Sequence, residues 1–75
     1  MKFLIIEDET AAAKNLRSIL SSITPDAHIL DTLDTIVDSV EWFKNNPAPD
    51  LVFMDIHLSD GESFKIFDKV AVTSP

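Results

Sequence analysis

Two short stretches, Phe3-Leu4-Ile5-Ile6 and Leu51-Val52-Phe53-Met54, are continuously apolar, and each runs straight into acid: Glu7-Asp8-Glu9 after the first, Asp55 after the second. A strand with one wet face alternates apolar and polar residues, whereas an unbroken apolar run of this length suits a strand covered on both faces, as in a parallel sheet. Parallel neighbours cannot be joined by a tight hairpin and need crossovers long enough to hold a helix. The intervening chain has that length and the matching periodicity. Thr10 to Ser22 sets Ala12, Leu16, Ile19 and Leu20, with Ile23 just beyond, on one helical face, opened by Glu9 or Thr10 and closed at Thr24-Pro25. Ala27 to Leu33 mixes aliphatics with Thr32 and predicts a second strand. A second helix follows with Ile36, Val37, Val40 and Phe43 as its face, Asp34 or Thr35 as its cap and Asn45-Asn46-Pro47 as its stop. Beyond the Leu51 to Met54 strand, Ser59, Asp60 and Gly61 turn the chain, and Ser63 to Val70 predicts a third helix with Phe64, Ile66, Phe67 and Val70 as apolar contacts.

Strand-helix alternation of this kind is an α/β pattern, and successive parallel strands joined by right-handed crossovers give a flavodoxin-like doubly wound parallel sheet, here truncated to three βα units. In the strand order 2-1-3-4-5 the third strand is interior, so a sheet ending there leaves one side of its ladder unpaired. Residues 1–75 are therefore expected to form part of a domain whose fourth and fifth parallel strands are absent. The alternative is a compact three-stranded domain whose edge is covered by a partner chain. A chain of 75 residues has room for one domain. At this size roughly 60% of the unfolded surface is buried, so marginal stability is expected.

Charge and cysteine content exclude several classes of function. Thirteen acidic side chains against six basic give a net charge of -7. Such a surface repels phosphate backbones, which argues against direct nucleic-acid binding by this segment. With no cysteine there is neither a disulfide framework nor a thiolate zinc site, which favours a reducing, cytoplasmic home. The apolar run at Phe3 is too short for a signal-peptide core or a membrane span, so no membrane partner is expected.

Glu7, Asp8 and Asp55 each follow an apolar strand, and in open α/β sheets ligands bind in the crevice beyond the carboxyl ends of the strands. Carboxylates crowded there repel one another unless a cation is present, and hard oxygen donors are what Mg²⁺ prefers. A carboxylate beside Mg²⁺ can attack phosphorus and form an aspartyl phosphate. The bland reading is that these acids end strands and cap helices. Acids after two separate buried strands favour a site.

The stretch Phe3 to Glu9, with Pro49-Asp50-Leu51-Val52-Phe53-Met54-Asp55-Ile56-His57-Leu58 and Asp60-Gly61, resembles the first half of a response-regulator receiver domain of two-component signalling. The resemblance implies that Asp55 is the phosphoacceptor for a sensor histidine kinase, that Asp8 ligates Mg²⁺ directly and that Glu7 acts mainly through water. It also places the backbone carbonyl of His57, not its ring, at the third protein ligand position, and Gly61 at the loop glycine, where a turn needs positive φ. The short Asp55-Ile56-His57-Leu58 loop, with Ser59 where a proline often stands, is similar to receivers attached to LytTR-type DNA-binding domains and implies a transcription regulator as the parent protein.

The chain departs from the family pattern beyond its third unit. Receivers carry a Ser or Thr after the fourth strand and a Lys after the fifth. Thr73 and Ser74 precede the expected fourth strand, while Lys65 and Lys69 fall on the third helix, so none matches by position. Phosphorylation of this segment alone is expected to be poor or absent. Two other functions remain open on the residues: a stand-alone interaction module with a degenerate receiver fold, forming a homodimer or edge-paired oligomer through its open sheet edge, and a Mg²⁺-dependent phosphohydrolase fragment. Against the latter, such enzymes commonly place a second acid two residues after the nucleophile, where this chain has His57. His28 is expected to decorate the second strand and the His57 ring to line the rim of the site. Trp42 is expected to be partly buried against the sheet. Phe64 and Phe67 have core spacing, with part of their surface open in the absence of further strands. Asp31, Asp34, Asp38 and Glu41 read as a solvated face.

Overall fold

A computed structural model describes residues 1–72. Strand β1 spans Lys2–Ile6, helix α1 Thr10–Ile23, strand β2 His28–Leu33, helix α2 Ile36–Asn45 and strand β3 Leu51–Met54. These strands form a parallel sheet in the order β2-β1-β3, the flavodoxin-like order as far as its third strand. Thr73, Ser74 and Pro75, with the fourth strand expected after them, lie outside the described residues.

Strand β1 is central, and its unbroken apolar sequence follows from that place. Phe3 is 4% exposed, and Leu4, Ile5 and Ile6 are completely buried. Because successive strand residues point to opposite faces, the run feeds two cores. Leu4 and Ile6 join Ile36 and Val40 of α2 together with Leu58 and Ile66. Phe3 and Ile5 join Leu20 of α1, with Leu16, Ile29 and Phe53 packed against them. Phe3 and Phe53 meet edge to face, with ring centroids 5.7 Å apart.

The helices keep the predicted bounds to within a residue but rotate some predicted contacts into solvent. Helix α1 buries Ala13 and Leu20, with Leu16 half-buried, whereas Ala12, Ile19 and Ile23 are exposed. One helix crossing a three-stranded sheet contacts it along a narrow stripe, and 13, 16 and 20 form that stripe. On α2 the buried row is Ile36, Ser39 and Val40, while Val37, one residue around the helix from Ile36, is 70% exposed. Thr35 caps α2 as predicted, its hydroxyl accepting the Asp38 N–H at 3.0 Å. Trp42 is half-buried and packs edge to face with Phe43. No helix among the described residues is long and apolar enough to cross a membrane.

The chain after β3 differs most from expectation. Strands β4 (His57–Leu58) and β5 (Gly61–Glu62) form a small antiparallel hairpin around the predicted turn. Gly61 has φ 138°, a conformation that L side chains rarely adopt, and a Cβ there would meet Ile36 Cδ1 at 3.1 Å. The predicted third helix is a 3₁₀ segment, Ser63–Asp68. Its inward residues are Ser63 and Ile66, an i, i+3 pair that stacks on one side of a helix with three residues per turn. Phe64 and Phe67 lie off that row and are each 53% exposed, in agreement with the expectation that part of their surface is open.

Candidate metal centre

The parallel ladders bring the acids together. Ile6 of β1 pairs with Leu33 of β2 on one side and with Met54 of β3 on the other. Each ladder then continues by one further hydrogen bond: the Glu7 N–H donates to Leu33 O at 2.8 Å, and the Asp55 N–H donates to Ile6 O at 2.9 Å. Glu7 and Asp55 thus leave adjacent strands at the same level, on the carboxyl edge of the sheet. The chain turns immediately, with the Glu9 N–H donating to Glu7 Oε1 at 3.0 Å, and this turn sets Asp8 at the mouth of the crevice.

One carboxylate oxygen from each of Glu7, Asp8 and Asp55 lies within 4.8 Å of the other two. Glu7 and Asp55 are half-buried and Asp8 is exposed. Among the described residues, no ion pair joins any of the three to a lysine or arginine. Three like charges at this separation favour a counter-cation. Ligands on octahedral Mg²⁺ with bonds of about 2.1 Å stand about 3 Å apart when adjacent and about 4.2 Å apart when opposite. The donor set is hard oxygen throughout, and its separations of at most 4.8 Å stand within about 1 Å of the spacing of opposite ligands, a difference that a rotamer adjustment or one intervening water covers. The residues fit Mg²⁺.

His57 lies on β4 with an exposed side chain, and its imidazole is not among the clustered donors. The Ser63 N–H donates to Ile56 O at 2.7 Å, which makes those two residues a hydrogen-bonded pair across the hairpin. Antiparallel pairs alternate, so the next pair, His57 with Glu62, turns its backbone groups outward and the His57 carbonyl points away from β5. Glu7 and Asp8 also line a cleft with Lys14, Arg17, Thr32 and Asp34, where Arg17 Nη1 donates to Thr32 Oγ1 at 3.2 Å.

Asp60 plays a part that no local pattern announces. Its Oδ1 accepts the Ile36 N–H at 2.7 Å and its Oδ2 the Val37 N–H at 3.2 Å, so the hairpin tip caps the start of α2. These amide hydrogen bonds, that of Ile36 foremost, hold the Asp60 carboxyl below its ordinary value of 3.8. A depressed folded-state value gives stability that is fully present above the ordinary value and is lost as pH falls through the folded one. The stability advantage of the native protein over Asp60→Asn is therefore expected to be constant from about pH 6 to pH 5 and to shrink below about pH 4, as measured by urea melts at each pH. A difference unchanged down to about pH 2 would contradict the assignment.

No family model and no solved structure matches the chain. Over 66 residues, 88% of the chain, it is 36% identical to the sensory transduction protein LytT of Bacillus anthracis. It is 35% identical over 66 residues to LytT of Bacillus cereus, and 34% identical over 70 residues, 93% of the chain, to LytT of Enterococcus faecalis. The chain spans 26% to 28% of the length of these relatives.

Proposed function

We propose that the chain is the receiver segment of a two-component response regulator and that Asp55 accepts a phosphoryl group from the phosphohistidine of a sensor histidine kinase. The observation that carries this reading is the convergence of Glu7, Asp8 and Asp55 at the carboxyl edge of a 2-1-3 parallel sheet. Similarity to sensory transduction proteins over nearly the whole chain supports it. In this reading the parent protein is a transcription regulator, as the resemblance of the short Asp55-Ile56-His57-Leu58 loop to receivers of LytTR-type regulators implies, and it works in the cytoplasm.

In this reading Asp8 and one carboxylate oxygen of Asp55 hold Mg²⁺ directly, Glu7 holds it through water, and the His57 carbonyl supplies a backbone ligand. When bound, the ion neutralises negative charge on the phosphoryl oxygens during transfer. The second carboxylate oxygen of Asp55 attacks phosphorus in line with the departing imidazole nitrogen. An O–P bond forms as the P–N bond breaks. The bond pair returns to the ring, leaving a neutral imidazole whose other nitrogen carries the proton. The chain's own contribution is positional: the ladder bond from the Asp55 N–H to Ile6 O fixes the backbone of the nucleophile beside Glu7.

Presented with a phosphorylated sensor kinase in Mg²⁺ buffer, a protein carrying this segment is expected to take up one phosphate in a hydroxylamine-labile linkage, as acyl phosphates are. Asp55→Asn is expected to take up none. Label that persists in Asp55→Asn would overturn the proposal.

A further inference from the structure

Helix α2 has two caps, and one of them comes from far away. Its first helical amides cannot be satisfied within the helix. Thr35, the local N-cap, takes the Asp38 N–H. Asp60 takes the two before it, those of Ile36 and Val37, across 24 and 23 residues of sequence.

The hairpin that carries Asp60 starts at His57, two residues after Asp55, and is firmly held. The Ser63 N–H closes its base on Ile56 O at 2.7 Å. Leu58, 7% exposed, packs in one cluster with Ile36 and Ile66. Gly61 leaves only 3.1 Å between Ile36 Cδ1 and the Cβ that another residue would place there. The stretch from Asp55 to Asp60 therefore has little freedom to move without the start of α2. The other end of the clamp leads back to the acids as well: α2 follows directly from β2, whose last carbonyl, that of Leu33, holds the Glu7 N–H at 2.8 Å.

We infer that Asp60 is a positioning residue for the cation site: by tying the loop after Asp55 to the first amides of α2, it fixes the backbone at His57 relative to Glu7 and Asp8. The inference rests on the reading of those acids as a Mg²⁺ site. Groups that orient ligands without touching the metal are worth about 10 to 100-fold in metal affinity. Coupling of this kind is reciprocal, so a bound cation strengthens the clamp in turn.

The test is a Mg²⁺ titration of a protein carrying residues 1–75, followed by amide NMR. In the native protein the Ile36 and Val37 amides are expected to titrate with the same dissociation constant as that of Asp8, and their hydrogen exchange is expected to slow. Asp60→Asn is expected to raise the Mg²⁺ dissociation constant by about tenfold. Thr35→Ala removes the neighbouring cap bond and weakens α2 without touching the hairpin, and is expected to change that constant by less than about twofold. Equal effects from the two variants would show that Asp60 merely supports the helix, and would overturn the inference. So would an Asp60→Asn protein that binds Mg²⁺ as tightly as the native one. Should that variant fail to fold, native Ile36 and Val37 amides that stay silent while Asp8 titrates would overturn it too. If no native resonance responds to Mg²⁺, the cation reading itself falls and takes the inference with it.

Discussion

Asp8→Ala is expected to eliminate the response of the protein to Mg²⁺ while leaving its ion-free stability unchanged or slightly higher. Asp8 is exposed and, among the described residues, packs in neither core and makes no hydrogen bond that the fold uses. Its removal also relieves repulsion within a cluster of three carboxylates, in a chain of net charge -7. On the proposed ligand set the cost falls on the cation alone, which would lose one of two direct carboxylate ligands. In the native protein, Mg²⁺ at 100 times its dissociation constant is expected to add about 2.7 kcal/mol of stability. For a domain of this size that raises Tm by roughly 10 to 20 °C. Thermal melts with and without Mg²⁺ should therefore separate for the native chain and superimpose for Asp8→Ala. A Mg²⁺-dependent rise that survives the substitution would remove Asp8 from the site.

Leu4→Ala is expected to remove a large share of the protein's stability, which urea melts read as a lower midpoint. Leu4 is completely buried in the central strand and belongs to the larger of the two cores, with Ile6, Ile36, Val40, Leu58 and Ile66. Its neighbours are held by backbone ladders on both sides and cannot collapse into the space. Leu→Ala at such a position costs about 2 to 5 kcal/mol. Typical stability per residue gives a 75-residue chain only about 4 to 11 kcal/mol in total. Val37→Ala is the control, because Val37 is 70% exposed and its truncation should stay within about 0.5 kcal/mol. Urea melts that place the two variants together would contradict the assignment of Leu4 to the core.

The strands and the acid cluster are legible in the sequence because both follow from one property of parallel sheets. A central strand is apolar on both faces, so its run ends where the sheet ends, and the next residues stand at the carboxyl edge. Phe3 to Ile6 shows this, Leu51 to Met54 ends the same way although it is half-buried at the edge of the described sheet, and Glu7 and Asp55 then meet because each ladder continues one bond beyond the runs. Helical periodicity identifies Leu16, Leu20, Ile36 and Val40, but it does not say how wide a stripe the sheet can cover. Ile19, Ile23 and Val37 are therefore apolar yet exposed. Ser63 to Val70 carries too little to settle its pitch from sequence: the sheet-facing row is only Ser63 and Ile66, compatible with either helix type. The Asp60 clamp is not legible at all, since its partner amides lie 23 and 24 residues upstream and a Ser-Asp-Gly run signals only a turn.

In the proposed reading Glu7, Asp8 and Asp55 hold one cation between two strand ends. Substoichiometric Mn²⁺ added to ¹⁵N-labelled protein tests it most directly, because paramagnetic broadening falls steeply with distance. The amide signals flanking Asp8 and those flanking Asp55 are expected to vanish together at the same Mn²⁺ concentration and to return when Mg²⁺ displaces the ion. Broadening at one strand end without the other, or at neither, would show that the three acids do not share a cation.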